Sequence, residues 1–292
     1  MKLREIWTLL RQAGTAWLDH NATRLAAAVA FYSILSLAPI LILSVAMAGF
    51  VFGEEAARGE LVHQMRGLVG DAGAEVIQTT LASAKKPGQG ILATVIGSIT
   101  LLIGAAGVFS ELHDALNVVW EVKSKPGQGI WRFIREKFLS FGMVLSIGFL
   151  LLISLVITTV ISSVGGYLAG FAPGVPTLIE ILNFFVGMAL IAGLFALLFR
   201  YLPDARMPWR HVWLGATFTA LLFSIGKFAI GLYLSQAAVG SPFGAAGSLV
   251  VLVVWVYYSA LILFFGAELT QAHAKRAGIV VEPLSTAYRV SA

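Results

Sequence analysis

The chain has 292 residues, of which 58% are hydrophobic and only 12% are charged, whereas an ordinary soluble domain has roughly 25% charged residues. This composition excludes a water-soluble globular enzyme and a disordered scaffold. Because the chain has no cysteine, disulfides, thiolate catalysis and cysteine-based metal sites are excluded as well.

Six charge-poor stretches are long enough to cross a bilayer, which takes about 20 predominantly apolar residues. In chain order they are 25–53, 87–110, 138–163, 181–199, 212–234 and 243–267. They predict an all-α polytopic membrane protein with six transmembrane helices, folded as a single integral membrane domain over residues 1–292. A cytoplasmic amphipathic helix over 1–24 precedes the spans, and a cytoplasmic tail over 268–292 follows them.

The distribution of lysine and arginine predicts the orientation, because short loops rich in these residues stay in the cytoplasm. The N-terminal segment, the second loop (111–137), the fourth loop (200–211) and the C-terminal tail are basic, whereas the third and fifth loops contain neither residue. Both termini are therefore predicted to be cytoplasmic. This topology explains the net charge of +5 without nucleic acid as a partner.

The segments outside the spans are predicted to be amphipathic helices. Residues 3–18 place apolar side chains at helical spacing, so this helix either lies in the inner interface or packs on the bundle. The first outer loop, 54–90, is predicted to form a cap of two short helices separated by Gly70–Gly73. The second loop has one apolar face, and Trp120 and Trp131 are predicted to anchor it at the membrane interface.

Most sequence signatures of chemistry are absent. The chain has no phosphate-binding glycine loop, no His-Glu-x-x-His zinc motif, no nucleophile elbow and no acidic cluster able to hold two metal ions. His113 beside Glu111 and Asp114 has the side chains of a divalent-cation site, but such residues are ordinary at a helix end. The sequence therefore predicts a protein that is not an enzyme, with no catalytic residue, no cofactor and no metal site.

Lys227 is the only charged residue inside the six predicted spans. An ammonium at the centre of a span costs about 2.5 to 3.5 kcal/mol on insertion scales unless it finds a partner or water. The predicted topology places Glu180 and Asn183 at the outer side of the preceding helix, so we expect them to form a substrate-binding group with Lys227. The alternative is that Lys227 snorkels to the outer interface.

Pro39 lies near the middle of the first span, where it removes a backbone donor and predicts a kink. Tyr32 and Ser36 on the preceding turns would then line a substrate cavity, although kinks of this kind also serve packing alone. A weaker polar group is predicted at the inner side from charges at helix ends, namely Arg24, Arg200, Asp204 and Glu268.

Several segments carry a resemblance to a known family. They are AAAVAFYSILSLAP at 26–39, YLPD at 201–204, PWR at 208–210, GKF at 226–228, FGAAGSLV at 243–250, WVYYSA at 255–260 and FGAE at 265–268. Together they resemble the YihY/virulence factor BrkB family over residues 20–276. The resemblance implies a bacterial inner-membrane protein with six helices. The family has also carried a ribonuclease label, for which this sequence offers neither metal ligands nor an acid and base pair.

The family's links to serum resistance and envelope integrity imply transport of a lipid or another amphiphile. The leading hypothesis is therefore a transporter or exporter-like protein for such a molecule in envelope maintenance. The alternative is a structural or assembly protein of the envelope that binds partner proteins. The expected partners are membrane lipids, with protein partners or a homo-oligomer as further candidates, and no nucleic acid.

Overall fold

The computed structural model describes residues 3–84, 107–125, 161, 175–237, 245–279 and 281–290. The helices are α1 (Leu3–Asp19), α2 (Ala22–Phe52), α3 (Glu54–Ala84), α4 (107–119), α5 (Val175–Tyr201), α6 (Trp209–Ala237) and α7 (Ala245–Arg276). Four short strands accompany them: β1 (Val122–Ser124), β2 (Ala205–Arg206), β3 (Glu282–Pro283) and β4 (Ala287–Arg289). The described chain is mostly helical, as predicted, and the short strands are an unpredicted addition.

Among the described residues, three helices are long and apolar enough to cross a membrane: Thr177–Tyr201, Trp209–Ala229 and Leu252–Arg276. They overlap the predicted spans 181–199, 212–234 and 243–267, so the prediction of an all-α membrane protein is confirmed. A shorter apolar helix, Ala22–Ser36, lies at the start of the predicted span 25–53. The predicted spans 87–110 and 138–163 lie outside the described residues, apart from 107–110 and 161, and the count of six stays a prediction.

The chain divides into two compact units. Unit 1 comprises Met1–Trp17, Leu116–Leu222 and Phe265–Ala292, and unit 2 comprises Leu18–Ala115 and Phe223–Phe264. The prediction of a single membrane domain stays a prediction.

Unit 2 contains a helical hairpin made of α2 and α3. The two helices are joined at Gly53, whose positive φ of 86° is a conformation that glycine adopts without steric cost. The hairpin packs on α7 in a core formed by Val45, Ile77, Leu81, Leu252 and Trp255. This core holds α2 and α3 against α7.

The predicted break in the cap at Gly70–Gly73 is wrong, because α3 is one continuous helix from Glu54 to Ala84. Each glycine in a helix interior costs only about 1 kcal/mol relative to alanine. Beyond the two glycines, Ile77 and Leu81 are each 1% exposed. Their burial in the core of unit 2 offsets the cost of continuing the helix.

Unit 1 holds α1 against α7. Leu9 and Ala13 of α1 are buried on Leu269, while Trp7 and Leu18 on another side of α1 are 69% and 66% exposed. Helix α1 therefore packs on the protein through Leu9 and Ala13, which is one of the two alternatives drawn from its sequence, and contact of its exposed side with the membrane interface stays a prediction.

Trp120 departs from the prediction of an interfacial anchor. Its side chain is 1% exposed, and its ring centroid lies 6.0 Å from that of Phe199 on α5. The predicted apolar face of the second loop is buried throughout, with Leu112, Ala115, Leu116 and Val119 all at 8% exposure or less. Trp120 directly follows this face in sequence and belongs to the core, while Trp131 lies outside the described residues.

Candidate functional site

Two antiparallel ribbons bring the C-terminal tail to two loops of unit 1. Strand β1 pairs with β4 with Lys123 opposite Tyr288, and β2 pairs with β3 with Arg206 opposite Glu282. We call this region the ribbon end; it comprises residues 117–125, 200–211, 268–276 and 281–290. The second loop, the fourth loop and the tail, which were all predicted to be cytoplasmic, meet there.

Arg276 forms hydrogen bonds with helix α1 at the ribbon end. The guanidinium donates from Nε to Gln12 Oε1 at 2.8 Å and from one terminal nitrogen to the Glu5 carbonyl at 2.9 Å. All four segments that the sequence predicts to be cytoplasmic therefore have contacts at one end of unit 1.

Asp204 joins three of these segments. Its backbone N–H donates to Asn117 Oδ1 at 2.7 Å, its carboxylate accepts from Ser124 Oγ at 2.8 Å, and its carbonyl accepts from Leu284 N at 2.9 Å. Asp204 is only 6% exposed. A buried acidic group needs such partners, so Asp204 positions the chain between α5 and α6.

Glu121 forms a second junction. It has a positive φ of 53°, which is uncommon for a residue other than glycine. Its carboxylate lies 2.6 Å from Lys275 Nζ and 4.0 Å from a nitrogen of Arg289, and its carbonyl accepts from Val290 N at 2.9 Å. The C-terminal end of α7 and the tail are thereby held to Glu121, two residues past the end of α4.

The ribbon end also contains buried polar side chains on α7. Glu268 and Thr270 are 0% exposed and Gln271 is 2% exposed. On the facing helix α6, His211 is 9% exposed, and its ring centroid lies 5.2 Å from that of His273. Among the described residues, His211 Nδ1 has no hydrogen-bond partner.

Helices α6 and α7 approach very closely at a reciprocal pair of glycines and threonines. A β-carbon on Gly215 would overlap Thr270 Oγ1, and one on Gly266 would overlap Thr219 Oγ1. Both hydroxyls donate to the carbonyl four residues earlier, Thr219 to Gly215 and Thr270 to Gly266. We call these four residues the α6–α7 crossing.

Sequence reasoning missed the α6–α7 crossing, although the signal was present. Each helix carries a glycine and a threonine four residues apart, the spacing at which small residues allow close helix approach. Gly107 of α4 also approaches α2 closely, because a β-carbon there would lie 2.7 Å from Tyr32 Cδ1.

The predicted inner-side group stays a prediction as a whole. Arg200 at the end of α5 and Asp204 just after it are close in sequence but have different partners, since the Arg200 guanidinium donates to the Met207 carbonyl. Glu268 lies in the same unit on α7. Arg24 is exposed and belongs to unit 2.

Lys227 lies on α6 in unit 2, whereas Glu180 and Asn183 lie on α5 in unit 1. Lys227 and Glu180 are exposed and Asn183 is half-buried; Asn183 Oδ1 has no hydrogen-bond partner among the described residues. No hydrogen bond or ion pair joins Lys227 to a described residue. The grouping of these three residues stays a prediction.

The predicted cavity residues lie on α2. Ser36 is 0% exposed and its hydroxyl donates to the Ser33 carbonyl at 3.1 Å, so it is satisfied within its own helix. Tyr32 is 36% exposed and packs edge to face on Phe31. Pro39 lies within α2, which is a continuous helix on both sides of it; the kink and the cavity stay predictions.

An acidic pair lies on α4 in unit 2. Burial raises the pKa of the Glu111 carboxyl, and the nearby negative charge of Asp114 raises it further. His113 Nδ1 lies 3.3 Å from Asp114 Oδ1. Within the described ranges no group of three metal-ligating side chains is present.

The helical fold and the three apolar helices in the described part of the chain define an integral membrane protein. Residues 13–288 match the family described as virulence factor BrkB, and the chain belongs to that family.

Its curated relatives are called UPF0761 membrane proteins. Those from Verminephrobacter eiseniae and Pseudomonas aeruginosa are 33% and 30% identical over 84% and 85% of this chain, which spans 57% and 58% of their lengths. One from Alteromonas mediterranea is 26% identical over 86% of this chain and 83% of its own length. These names state no reaction and no substrate, and no solved structure matches the chain.

Proposed function

We propose that the chain is a non-enzymatic protein of the bacterial inner membrane that binds and moves a lipid or another amphiphile. Of the anionic and zwitterionic head groups that suit Lys227, we propose the anionic one. Both termini of the chain lie in the cytoplasm. The chain spans 57% and 58% of the lengths of two curated relatives, which are called membrane proteins. Their names state no substrate, so the substrate is part of the proposal.

The observation that carries the proposal is the position of Lys227. It belongs to the candidate span Trp209–Ala229 and lies ~27 Å along the helix from Trp209 at 1.5 Å per residue. Lys227 is exposed and has no hydrogen bond or ion pair with a described residue. Lys227 thus lies two residues before the end of this span, close to the depth of the outer head groups, where a phosphate or carboxylate of a lipid supplies the partner that a lysine in a span needs.

The inner-membrane orientation is supported by the ribbon end. The basic second loop, fourth loop and tail are paired there through β1–β4 and β2–β3, and α1 is bound to Arg276. Basic segments that share one end of the helices are expected on the cytoplasmic side. Lys227 then lies in the outer half of the membrane.

The test is retention of phosphatidylglycerol, compared with phosphatidylcholine, by the purified full chain in native mass spectrometry. We expect wild type to retain phosphatidylglycerol selectively, Lys227→Arg to keep this selectivity, and Lys227→Met to lose it. Lys123→Met is the matched control, because Lys123 is an exposed lysine outside the spans. Fluorescent phosphatidylglycerol in proteoliposomes then reports movement between leaflets.

Equal, non-selective lipid adducts in wild type and Lys227→Met would overturn the head-group site. Lys227 would then be a snorkelling residue, and a structural role in the envelope would replace transport. Selective binding without movement between leaflets would overturn transport alone.

A further inference from the structure

Two histidines meet at the ribbon end, where α6 begins and α7 ends. His211 lies in the first turn of α6 and is 9% exposed, and its ring centroid lies 5.2 Å from that of His273 on α7. Nδ1 of His211 is buried and has no hydrogen-bond partner among the described residues. Because a buried polar atom without a partner is costly, this nitrogen favours a ligand that supplies one.

The charged groups around the histidine pair are basic. Arg210 and Arg276 act electrostatically on His273, as His211 does, and no carboxylate of a described residue is among the groups that do so. Arg210 is exposed and forms no hydrogen bond or ion pair with a described residue. Arg276 uses Nε and one terminal nitrogen for α1, which leaves further N–H donors on its guanidinium. We call these two histidines and two arginines the basic cluster.

The start of α6 adds to the positive potential of the basic cluster. Its first turn contains no acidic residue, and the N-terminus of a helix carries a partial positive charge. The His211 N–H donates to the Pro208 carbonyl at 3.1 Å, so the amides of Trp209 and Arg210 lie ahead of the hydrogen bonds of the helix. Amides in this position favour anions, and phosphate is the ligand most often bound there.

The basic cluster suits an anion better than a metal ion. Two neighbouring imidazoles can bind a transition metal, but the positive charges of two arginines repel a cation. Two carboxylates of the ribbon end have partners elsewhere, since Glu121 pairs with Lys275 and Asp204 accepts from Ser124. An anion that accepts several hydrogen bonds at once, as phosphate does from arginine, therefore matches the cluster.

We propose that the basic cluster is a phosphate-binding site. The guanidinium groups of Arg210 and Arg276 donate to phosphate oxygens, and His211 donates from Nδ1. An imidazole donates from one nitrogen when neutral and from both when protonated. The site is separate from Lys227 and does not rest on the proposed function.

Free phosphate and the phosphate of a phospholipid share this chemistry, and both reach the ribbon end. The loops of the ribbon end are expected in the cytoplasm, where free phosphate is available. Trp209 and Trp213, which flank the first turn of α6, are 38% and 46% exposed, and the ring centroid of Tyr201 lies 5.9 Å from that of Trp209. Exposed aromatic side chains of this kind are typical of the membrane–water interface, where lipid phosphates lie.

The first experiment is isothermal titration calorimetry of the purified full chain with inorganic phosphate at constant ionic strength. We expect wild type to bind phosphate, and Arg210→Gln and His211→Leu each to weaken binding by about tenfold, the effect of losing one charged hydrogen bond. Arg206→Gln should bind like wild type. It is the matched control, because Arg206 is an exposed arginine of the ribbon end that does not act on His273. Arg210 is exposed, so its replacement tests the site even if His211→Leu fails to fold.

The second experiment tests the lipid source. Native mass spectrometry compares phosphatidylglycerol retention by Lys227→Met with that by Lys227→Met combined with Arg210→Gln, so that Lys227 contributes to neither. Lipid that is retained by the first variant and lost by the second identifies a phospholipid as the source. Phosphate binding in the calorimeter with equal lipid retention by both variants identifies free phosphate.

Equal phosphate affinity in wild type and Arg210→Gln, together with equal lipid retention, would overturn the proposal. Equal weakening by Arg206→Gln and Arg210→Gln would also overturn it, because the binding would then be a general attraction to the basic loops. If wild type binds inorganic phosphate but shows no phosphatidylglycerol selectivity, the phosphate site stands and the proposed lipid function fails.

Discussion

Glu111 illustrates how one half-buried carboxyl makes the stability of the protein depend on pH. Its pKa is raised first by burial and then by the charge of Asp114, so the folded protein holds this proton more tightly than the unfolded chain. The resulting stability is fully present below the unfolded pKa, near 4.5, and is lost as the pH rises through the folded pKa.

At neutral pH an ionised Glu111 therefore disfavours the folded state. We expect Glu111→Gln to raise the thermal unfolding temperature at neutral pH, and we expect this gain to vanish in acid, where Glu111 is protonated in both states. Thermal unfolding in detergent across the pH range measures the difference. Glu75→Gln on α3 is the control, since Glu75 is exposed; an equal gain in both variants would contradict the assignment to burial.

At the scale of elements, the α6–α7 crossing is the closest helix approach among the glycine contacts of the described chain. Neither Gly215 nor Gly266 has room for a methyl group, because a threonine hydroxyl of the other helix occupies that space. Membrane helices associate through such close packing, because lipid tails are as apolar as the buried side chains and leave no hydrophobic driving force between helices.

We expect Gly266→Ala to destabilise the protein by about 1 to 3 kcal/mol through overpacking. Thr219→Ala in the same chain should restore part of the loss, because Thr219 supplies all three atoms closest to a β-carbon at Gly266. Gly193→Ala on α5 is the matched control. Nothing lies within 4 Å of a β-carbon there, so alanine should be neutral or stabilise by up to about 1 kcal/mol.

Thermal unfolding of the wild type and these three variants in one detergent measures these effects. A Gly266→Ala variant as stable as Gly193→Ala would show that α6 and α7 are farther apart than this packing requires. Loss of stability without rescue by Thr219→Ala would place the clash elsewhere.

For the whole molecule, long stretches poor in charge were sufficient to predict the described apolar helices from the sequence. Spans such as 181–199 and 212–234 overlap α5 and α6 because about 20 apolar residues favour a helix in a membrane whatever their neighbours are. The continuity of α3 and the burial of Trp120 were predicted incorrectly, because both depend on tertiary packing against residues distant in sequence.

Most of the ribbon end could not be predicted for the same reason. The strands of the two ribbons are two or three residues long, too short for a period-2 signal, and their partners are more than 70 residues apart in the chain. Glu268 and Asp204 were predicted as inner-side charges from their position at helix ends. The sequence did not predict that both side chains are buried or that Asp204 forms hydrogen bonds with Asn117, Ser124 and Leu284.

The ribbons also make a prediction about the topology of the whole chain. The native sequence has no cysteine, so introduced cysteines are unique. Residues 123 and 288 are paired across β1 and β4, and paired residues in antiparallel strands have Cα atoms about 4.5 to 5.5 Å apart, within the range that a disulfide spans. We expect Lys123→Cys with Tyr288→Cys to form a disulfide on mild oxidation.

The control is Lys123→Cys with Val290→Cys, a diagonal pair at roughly 7 to 8 Å, which should cross-link much less. Under reducing conditions, a membrane-impermeant maleimide should modify Lys123→Cys in inverted vesicles and leave it unmodified in spheroplasts, because β1 is expected on the cytoplasmic side. Equal cross-linking of both pairs would contradict the register of the ribbon. Modification in spheroplasts would show that every helix joined to the ribbon end has the opposite orientation and that Lys227 lies in the inner half of the membrane.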